Sequence, residues 1–539
     1  MSRPSCTLIV LCAWPLVPRT TQAALPASLD DIDADARWMG EAANDHAGGT
    51  IAGNADVNGD GYPDLLVGAY GSDDGAEGGG ESYLLLGGPT RWSGDIGLDS
   101  ATASWVGTTG GEYTSSALGL IPDMDGDSYD EIAIGSYCSD QAGFDAGELY
   151  LIYGEASAGW GTDRSLRDAD VSWLGEDAWD RLGHAVAGLG DVNGDGLGDL
   201  LVGASWRSSA SYKGGEAYLV LGPVSGVFLF TEADKCWNQS GGYQYDFGYD
   251  VAGGADFDGD ALADFMISAW VYGAVRILHG RADPADYGSS YVFDATIMRD
   301  GSYESLGNAI DVAGDVDGDG LDDVLIGDKY HDGDFYFGGA AYLLLSPIEG
   351  TVNVRDHQLE VMPSGEREGV GSGVAGVGDM DGDGYADFAV GAPAWGAACE
   401  SSGVVAIFHG SASGGVAGEV GLELGEALIV GTPEYSGVGY NIAAGGDVDG
   451  DGSPDLMLGA SSNNQTWLVH GPVRGVWEVD DIAAYHFDGV NTGDQAGYAI
   501  SMAGDADADG LTDLLIGAKG EDSYGENAGA AYLIFGSSL

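Results

Sequence analysis

The sequence predicts an all-β fold, a β-propeller of eight four-stranded blades. Three observations lead there. An acidic loop motif recurs eight times, at Asp56, Asp123, Asp191, Asp256, Asp315, Asp379, Asp447 and Asp505, with successive starts 58 to 68 residues apart. Each copy is followed by two short apolar runs, and each is preceded at a constant distance by a large apolar residue. Even self-similarity of this kind marks one repeat architecture, and a period of roughly 64 residues suits four short strands with their turns rather than a solenoid helix pair. The 95 glycines against 15 prolines, with 44% hydrophobic residues, describe a turn-rich folded chain and exclude a disordered one.

Taken in order, the first element is an export signal. Arg3 precedes the apolar stretch CTLIVLCAWPLV, and TQA ending at Ala23 offers small residues for cleavage, so residues 1–23 read as a signal peptide. A stretch of about 12 residues is short of the roughly 20 that span a bilayer. Cys12 follows Leu11 rather than a small residue, which argues against lipoprotein acylation. Residues 24–35 are expected to be a linker and 36–539 the propeller. The mature chain keeps Cys138, Cys236 and Cys399, enough for one disulfide at most, so disulfides are not the framework.

A buried outer strand comes next in each unit. Counting back 18 residues from the motif start lands on Trp38, Trp105, Trp173, Ile297, Val361, Ile429 and Phe487, and the fourth copy slips by one to Trp237. Eight residues before the motif stands a glycine, at Gly48, Gly183, Gly248, Gly307, Gly371, Gly439 and Gly497, with Ser115 the exception.

The loop itself predicts Ca²⁺, because so many clustered carboxylates repel one another unless a hard cation holds them. Its donors are expected at positions 1, 3, 5 and 9, with the backbone carbonyl of position 7. These are Asp56, Asn58, Asp60, Tyr62 and Asp64 in the first copy, and Asp123, Asp125, Asp127, Tyr129 and Glu131 in the second. The third has Asp191, Asn193, Asp195, Leu197 and Asp199, and the fourth Asp256, Asp258, Asp260, Leu262 and Asp264. The fifth has Asp315, Asp317, Asp319, Leu321 and Asp323, and the sixth Asp379, Asp381, Asp383, Tyr385 and Asp387. The seventh has Asp447, Asp449, Asp451, Ser453 and Asp455, and the eighth Asp505, Asp507, Asp509, Leu511 and Asp513. Up to eight ions are expected. Position 6 is glycine except at Ser128 and Ala261, so these two loops should bind most weakly if the turn needs positive φ.

The residues after the loop exclude an EF-hand, which needs a bidentate Glu at position 12. Here that position is Val67, Ile134, Val202, Ile267, Ile326, Val390, Leu458 or Ile516. Runs such as LLVGAY, then a polar turn, then YLLLGG, read as a hairpin of buried strands. The chain ends after the third strand of the eighth unit, while the Trp38 strand precedes the first unit without a partner. A ring closed by that N-terminal strand satisfies both ends and removes exposed edges. Seven blades are the alternative, with the fourth unit as an insertion.

The units resemble the FG-GAP repeats of the integrin α-subunit head over residues 36 to 539. Phe247-Gly248 is the one literal FG and Gly391-Ala392-Pro393 the one literal GAP, but the order of glycine, loop and strand holds in all eight. The resemblance implies a propeller whose calcium loops join the first and second strands of each blade. The integrin head has seven such repeats where this chain has eight, and the calf, thigh and membrane segments of an integrin have no counterpart here, so integrin function is not carried over whole.

A net charge of −69, from 87 acidic and 18 basic residues, excludes nucleic acid and anionic membranes as partners. No nucleophile, zinc-protease or phosphate-loop motif stands in a supporting context. His279, His409 and His470 share a repeat position with Leu86, Tyr153, Leu221 and Phe535, which reads as a packing site. The expected function is an adhesion or recognition module for a protein or glycan, monomeric, and secreted, periplasmic or at the cell surface. Its ligand should meet the hairpins 70–81, 137–147, 205–216 and 328–339, through Tyr70, Tyr137, Phe144, Trp206, Tyr212, Lys213, Tyr330, His331 and Tyr336. The alternative is a calcium-dependent polysaccharide lyase, which resembles this chain in blade number, although basic residues for a uronate site are scarce.

Overall fold

The computed structural model describes residues 25–29, 34–156, 159–206, 214–229, 232–238, 246–299, 305–333, 335–356, 358–396, 401–412, 415, 417–432 and 436–539, with backbone only for 25–28. The expected signal peptide, Tyr212, Lys213 and Cys399 lie outside them. Cys138 and Cys236 are free thiols.

Eight antiparallel sheets form eight blades around an axis. The first strands of successive blades, Ala47–Ala55, Ala117–Ile121, Leu182–Gly190, Phe247–Ala255, Ile310–Gly314, Val374–Gly378, Asn441–Gly446 and Ala499–Gly504, neighbour one another in sequence order. The last of them returns to Ala47–Ala55, so the ring is closed. In blade 1 the order outward is Ala47–Ala55, Asp64–Ala69, Glu81–Leu85 and Ala103–Val106. Blade 8 takes three strands from the C-terminus, and its fourth is Ala36–Met39, where Trp38 stands opposite Ala531.

Seven of the eight sheets carry a fifth strand beyond the expected four. It is a short strap that leaves the next blade and adds in parallel to the outer strand of the one before. Gly94–Gly97 of blade 1 lies on Ala36–Met39 of blade 8, and Gly161–Ser165 of blade 2 on Ala103–Val106 of blade 1. Leu25–Ser28, inside the expected linker, is the strap of the closing turn and pairs with Tyr485–Asp488 of blade 7. Among the described residues blade 3 has no strap, and the corresponding segment of blade 4 forms a 3₁₀ turn at Pro284–Tyr287. Each strap is only four or five residues long and largely exposed in the examples Gly94–Gly97 and Gly161–Ser165, so no alternating pattern announces it.

The core lies between blades rather than within them. Leu66, Leu84 and Trp105 of blade 1 pack with Ile132, Ile134 and Tyr150 of blade 2, all buried. Blades come this close because two repeat glycines meet across six of the eight junctions, with Ser115 and Ser268 each standing for one glycine at the other two. A Cβ on Gly391, in the second strand of blade 6, would fall 1.9 Å from the carbonyl oxygen of Gly439 in blade 7. Gly203 and Gly248 repeat the contact at 2.1 Å, and at the blade 1–2 junction Gly68 faces Ser115, which keeps the positive φ of 68°. The FG-type and GAP-type glycines are thus two halves of one interblade contact.

Candidate metal centres and the opposite face

Each acidic loop connects the first strand of a blade to the second, and its own backbone pre-shapes the carboxylates. In blade 1 the Asp56 carboxylate accepts from Gly61 N at 2.8 Å, Asp60 from Tyr62 N at 3.0 Å, and Asp64 from Val57 N at 2.9 Å. The same three bonds recur in the other loops, as in blade 8, where Asp505 accepts from Gly510, Asp509 from Leu511 and Asp513 from Ala506. Where position 9 is aspartate, its second oxygen accepts from the turn after the third strand, as Asp64 does from Gly87 N at 2.7 Å and Asp199 from Gly222 N at 3.0 Å. Position 9 therefore pins loop to blade.

The second loop tests whether these residues fit a cation. Asp123, Asp125, Asp127 and Glu131 bring one ligand oxygen each within 4.8 Å of one another, the greatest separation that ligands at about 2.4 Å from one Ca²⁺ can have. Glu131 is fully buried, and its Oε1 has no hydrogen-bond partner. An orphaned buried carboxylate oxygen among three further carboxylates matches a hard cation. Asp256, Asp258 and Asp260 converge likewise, as do Asp315, Asp317 and Asp323. When bound, calcium would neutralise these carboxylates; the protein's part is to hold them together.

Electrostatics agree. Burial pushes the position-9 carboxyls of Asp64, Asp199, Asp323, Asp387 and Asp513 up to about 7, and that of Glu131 to about 8, with neighbouring loop carboxylates adding to the rise. Asp264 is raised by burial too, offset in part by His279. The strain premise for position 6 also holds: φ is 77° at Ser128 and 67° at Ala261, where the glycines of the other loops lie between 87° and 94°. Ala508, at position 4 of the eighth loop, is a third non-glycine in this region, with φ 55°.

Three features of the loops were not evident from the residues alone. The histidines expected to pack instead face loop carboxylates: His279 Nδ1 lies 2.9 Å from Asp258, His409 Nδ1 3.1 Å from Asp381, and His470 Nδ1 3.1 Å from Asp455. The end of the third strand overhangs the loop, so any side chain there covers it, and imidazole adds a polar contact. Burial and Arg474 lower the His409 pKa, whereas at His470 the Asp455 contact outweighs burial and raises it. Arg91 pairs with Asp507 and, at 2.6 Å, with Asp509, and Arg474 pairs with Asp381. Finally, neighbouring loops are linked: Asp130 N donates to the Asp56 carbonyl at 3.2 Å, Gly198 N to Asp123 at 2.7 Å, and Ala263 N to Asp191 at 2.9 Å.

The opposite face carries the hairpins. There Tyr137, His184, Tyr249 and Trp270 follow one another across blades 2 to 4, with ring centroids 5.7, 5.3 and 4.9 Å apart. Lys329 Nζ continues the arc, 5.5 Å from the Trp270 centroid and 5.1 Å from that of Tyr330, which leads to Phe337 and Tyr336. Arg181 stacks on Trp206 at 3.5 Å and lies 5.6 Å from Tyr137. A second group joins His46, Tyr70, Lys519 and Tyr498. Of the predicted ligand-facing residues, His331 is instead buried, 2.6 Å from Arg299. Phe144 is exposed but stands apart, paired with Trp179.

Comparison with known proteins agrees with this geometry. The FG-GAP repeat model matches residues 48–85, 182–220, 370–408 and 496–534, in blades 1, 3, 6 and 8. Integrin alpha-PS2 of Drosophila melanogaster is 38% identical over 237 residues, covering 42% of this chain and 16% of the relative. Integrin alpha-5 of Xenopus laevis is 35% identical over 237 residues, 42% of this chain and 21% of the relative. Integrin alpha-6 of Homo sapiens is 30% identical over 218 residues, 40% of this chain and 17% of the relative. The matched stretch thus spans about a fifth or less of these relatives' length. Among solved structures, the crystal structure of BBS1N in complex with ARL6DN aligns over 78% of this chain and 92% of that one at 12% identity, with a TM-score of 0.39, too low to carry an argument. Eight blades, each with its acidic loop between first and second strands, make this chain an eight-bladed β-propeller, which carries matches to the FG-GAP repeat in four blades and is similar to the integrin α-subunits.

Proposed function

We propose that the chain is a secreted or surface-held, calcium-stabilised recognition module that binds a protein or glycan on its hairpin face. Integrin-like FG-GAP propellers support the adhesion class, and the aromatic and cationic arc from Tyr137 to Tyr336 is the observation that carries the choice of face. In a chain with 18 basic residues against 87 acidic ones, Arg181, Lys329 and Arg367 all lie against aromatic rings of this arc. Rings with cations beside them, half-buried from Tyr137 to Trp270 and exposed at Tyr330 and Tyr336, suit planar or anionic groups, such as sugar rings or acidic side chains. The calcium loops, on the other face, serve the ring and not the ligand. Among the described residues no helix is long and apolar enough to cross a membrane.

The test is a combined glycan and matrix-protein array probed with the wild type, Trp270→Ala and Lys329→Ala, beside an assay for polysaccharide cleavage. Binding that weakens at least tenfold in both variants, with melting temperature unchanged, supports the reading. Binding untouched by either variant, or cleavage of a polysaccharide, removes it.

A further inference from the structure

Outside the eight loops, three carboxylates converge on the hairpin face of blade 1. Glu41, Asp74 and Glu81 bring one ligand oxygen each within 4.8 Å of one another. Glu41 lies where the chain passes from the outer strand of blade 8 to the first strand of blade 1. Asp74 is in the hairpin after the second strand of blade 1, and Glu81 opens the third. The Tyr83 hydroxyl lies 2.8 Å from Glu81 Oε2 and 3.2 Å from Glu41 Oε1, with one proton to donate to either, and Ser72 Oγ donates to Glu81 Oε2 at 3.2 Å. Glu81 is fully buried; the Ser104 hydroxyl acts on it as a further donor, yet its Oε1 has no hydrogen bond of ordinary geometry. Asp74 is exposed, which leaves the cluster open to solvent on one side.

The sister blades show what is missing. Glu148 and Tyr150 of blade 2 occupy the positions of Glu81 and Tyr83, and there Arg167 lies 3.8 Å from Glu112 and acts favourably on Glu148. In blade 5 Arg299 lies 3.8 Å from both Asp328 and Glu360 beside Tyr342, and in blade 8 Arg37 lies against Tyr532. Blade 1 reverses the sign: Asp99 stands in the 3₁₀ turn Leu98–Ser100, where blade 2 has Arg167 in Leu166–Asp168. The further charges acting on the trio are Asp73, Asp99 and Asp163, all acidic. A buried carboxylate oxygen with no well-formed hydrogen bond, set among like charges, is costly unless a cation completes it.

We propose that Glu41, Asp74 and Glu81 bind a divalent cation of the Ca²⁺ class, with the Tyr83 hydroxyl, nearest to Glu81, standing between two of the three carboxylates. The ion ties the exit from blade 8 to the hairpin and third strand of blade 1. It lies next to the closing blade, one step along the chain from the Ala36–Met39 strand that pairs with Ala530–Leu533, and it is separate from the eight loops.

Crystals of the full chain grown in calcium and measured at long wavelength test this through the anomalous difference map. The expected result is a peak about 2.3–2.6 Å from oxygens of all three carboxylates, absent from crystals of Glu41→Gln while the loop peaks persist. Glu41 is only half-buried, so this variant keeps the fold. No peak at the cluster in the wild type, with or without loop peaks, overturns the proposal, as does a peak of equal height in Glu41→Gln. Native mass spectrometry on both proteins gives a second reading: one fewer bound Ca²⁺ in the variant supports the site, and equal counts overturn it.

Discussion

Removing calcium should invert the pH dependence of stability. The position-9 carboxyls of Asp64, Asp199, Asp323, Asp387 and Asp513 sit at about 7 when no ion is bound, against 3.8 for a free aspartate. Their folded pKa is raised, so between about pH 4 and 7 the folded chain holds more protons than the unfolded one. The metal-free protein then loses about 1.4 kcal/mol per pH unit for each such group as the pH rises. Across the whole window each group forfeits about 4 kcal/mol, and two or three of them match the roughly 5–15 kcal/mol by which domains are stable at all. Calcium binds the deprotonated carboxylates, so in excess calcium the stability contributed by the loops grows over the same window. The assay is a grid of thermal melts at about pH 5 and 7.5, in chelator and in millimolar calcium. The melting temperature in chelator should fall from the lower to the higher pH, and the gain from calcium should be much larger at the higher. A chelated protein that is equally or more stable at the higher pH would refute the reasoning.

The remaining predictions concern single residues. Ser128→Gly and Ala261→Gly relieve positive φ and should each stabilise the chain by about 1 kcal/mol and tighten calcium at that loop; unchanged denaturant midpoints would remove strain as the explanation. Asp199→Asn places an amide against Val192 N or Gly222 N and should cost about 2–3 kcal/mol by denaturant unfolding in calcium, whereas a loss under about 0.5 kcal/mol would contradict its pinning role. Gly391→Ala drives a methyl group into the Gly439 carbonyl, so its melting temperature should drop by about 10 °C or more. A tolerated alanine there would mean the blades are not held by that contact.

Whatever repeats in register was legible in the sequence. The acidic loops mark one turn in every blade because their carboxylates recur at fixed positions, and the residues 18 before each loop, or 19 at Trp237, are indeed buried outer-strand positions, from Trp38 to Phe487. The glycine eight residues before each loop was visible, but its partner was not, because Gly391 and Gly439 meet only across a blade junction. The straps escaped for another reason: a parallel edge strand such as Gly94–Gly97 has exposed residues on its outer side and needs no alternating pattern. His279 and His409 looked like packing residues because their repeat position also accepts leucine, and only the overhang of the third strand shows that it faces carboxylates. The hairpin arc could be anticipated as a face but not as an order, since Tyr137, His184 and Trp270 belong to three different blades.

The central claim is that every blade holds its own cation. Native mass spectrometry of the chelator-stripped protein, back-titrated with Ca²⁺ at neutral pH, counts the ions directly. The structure predicts a mass series that continues to no fewer than eight bound ions, the last arriving at the loops of Ser128 and Ala261. Saturation below eight would contradict it, most plainly a series that stops at four, the number of blades matched by the family model.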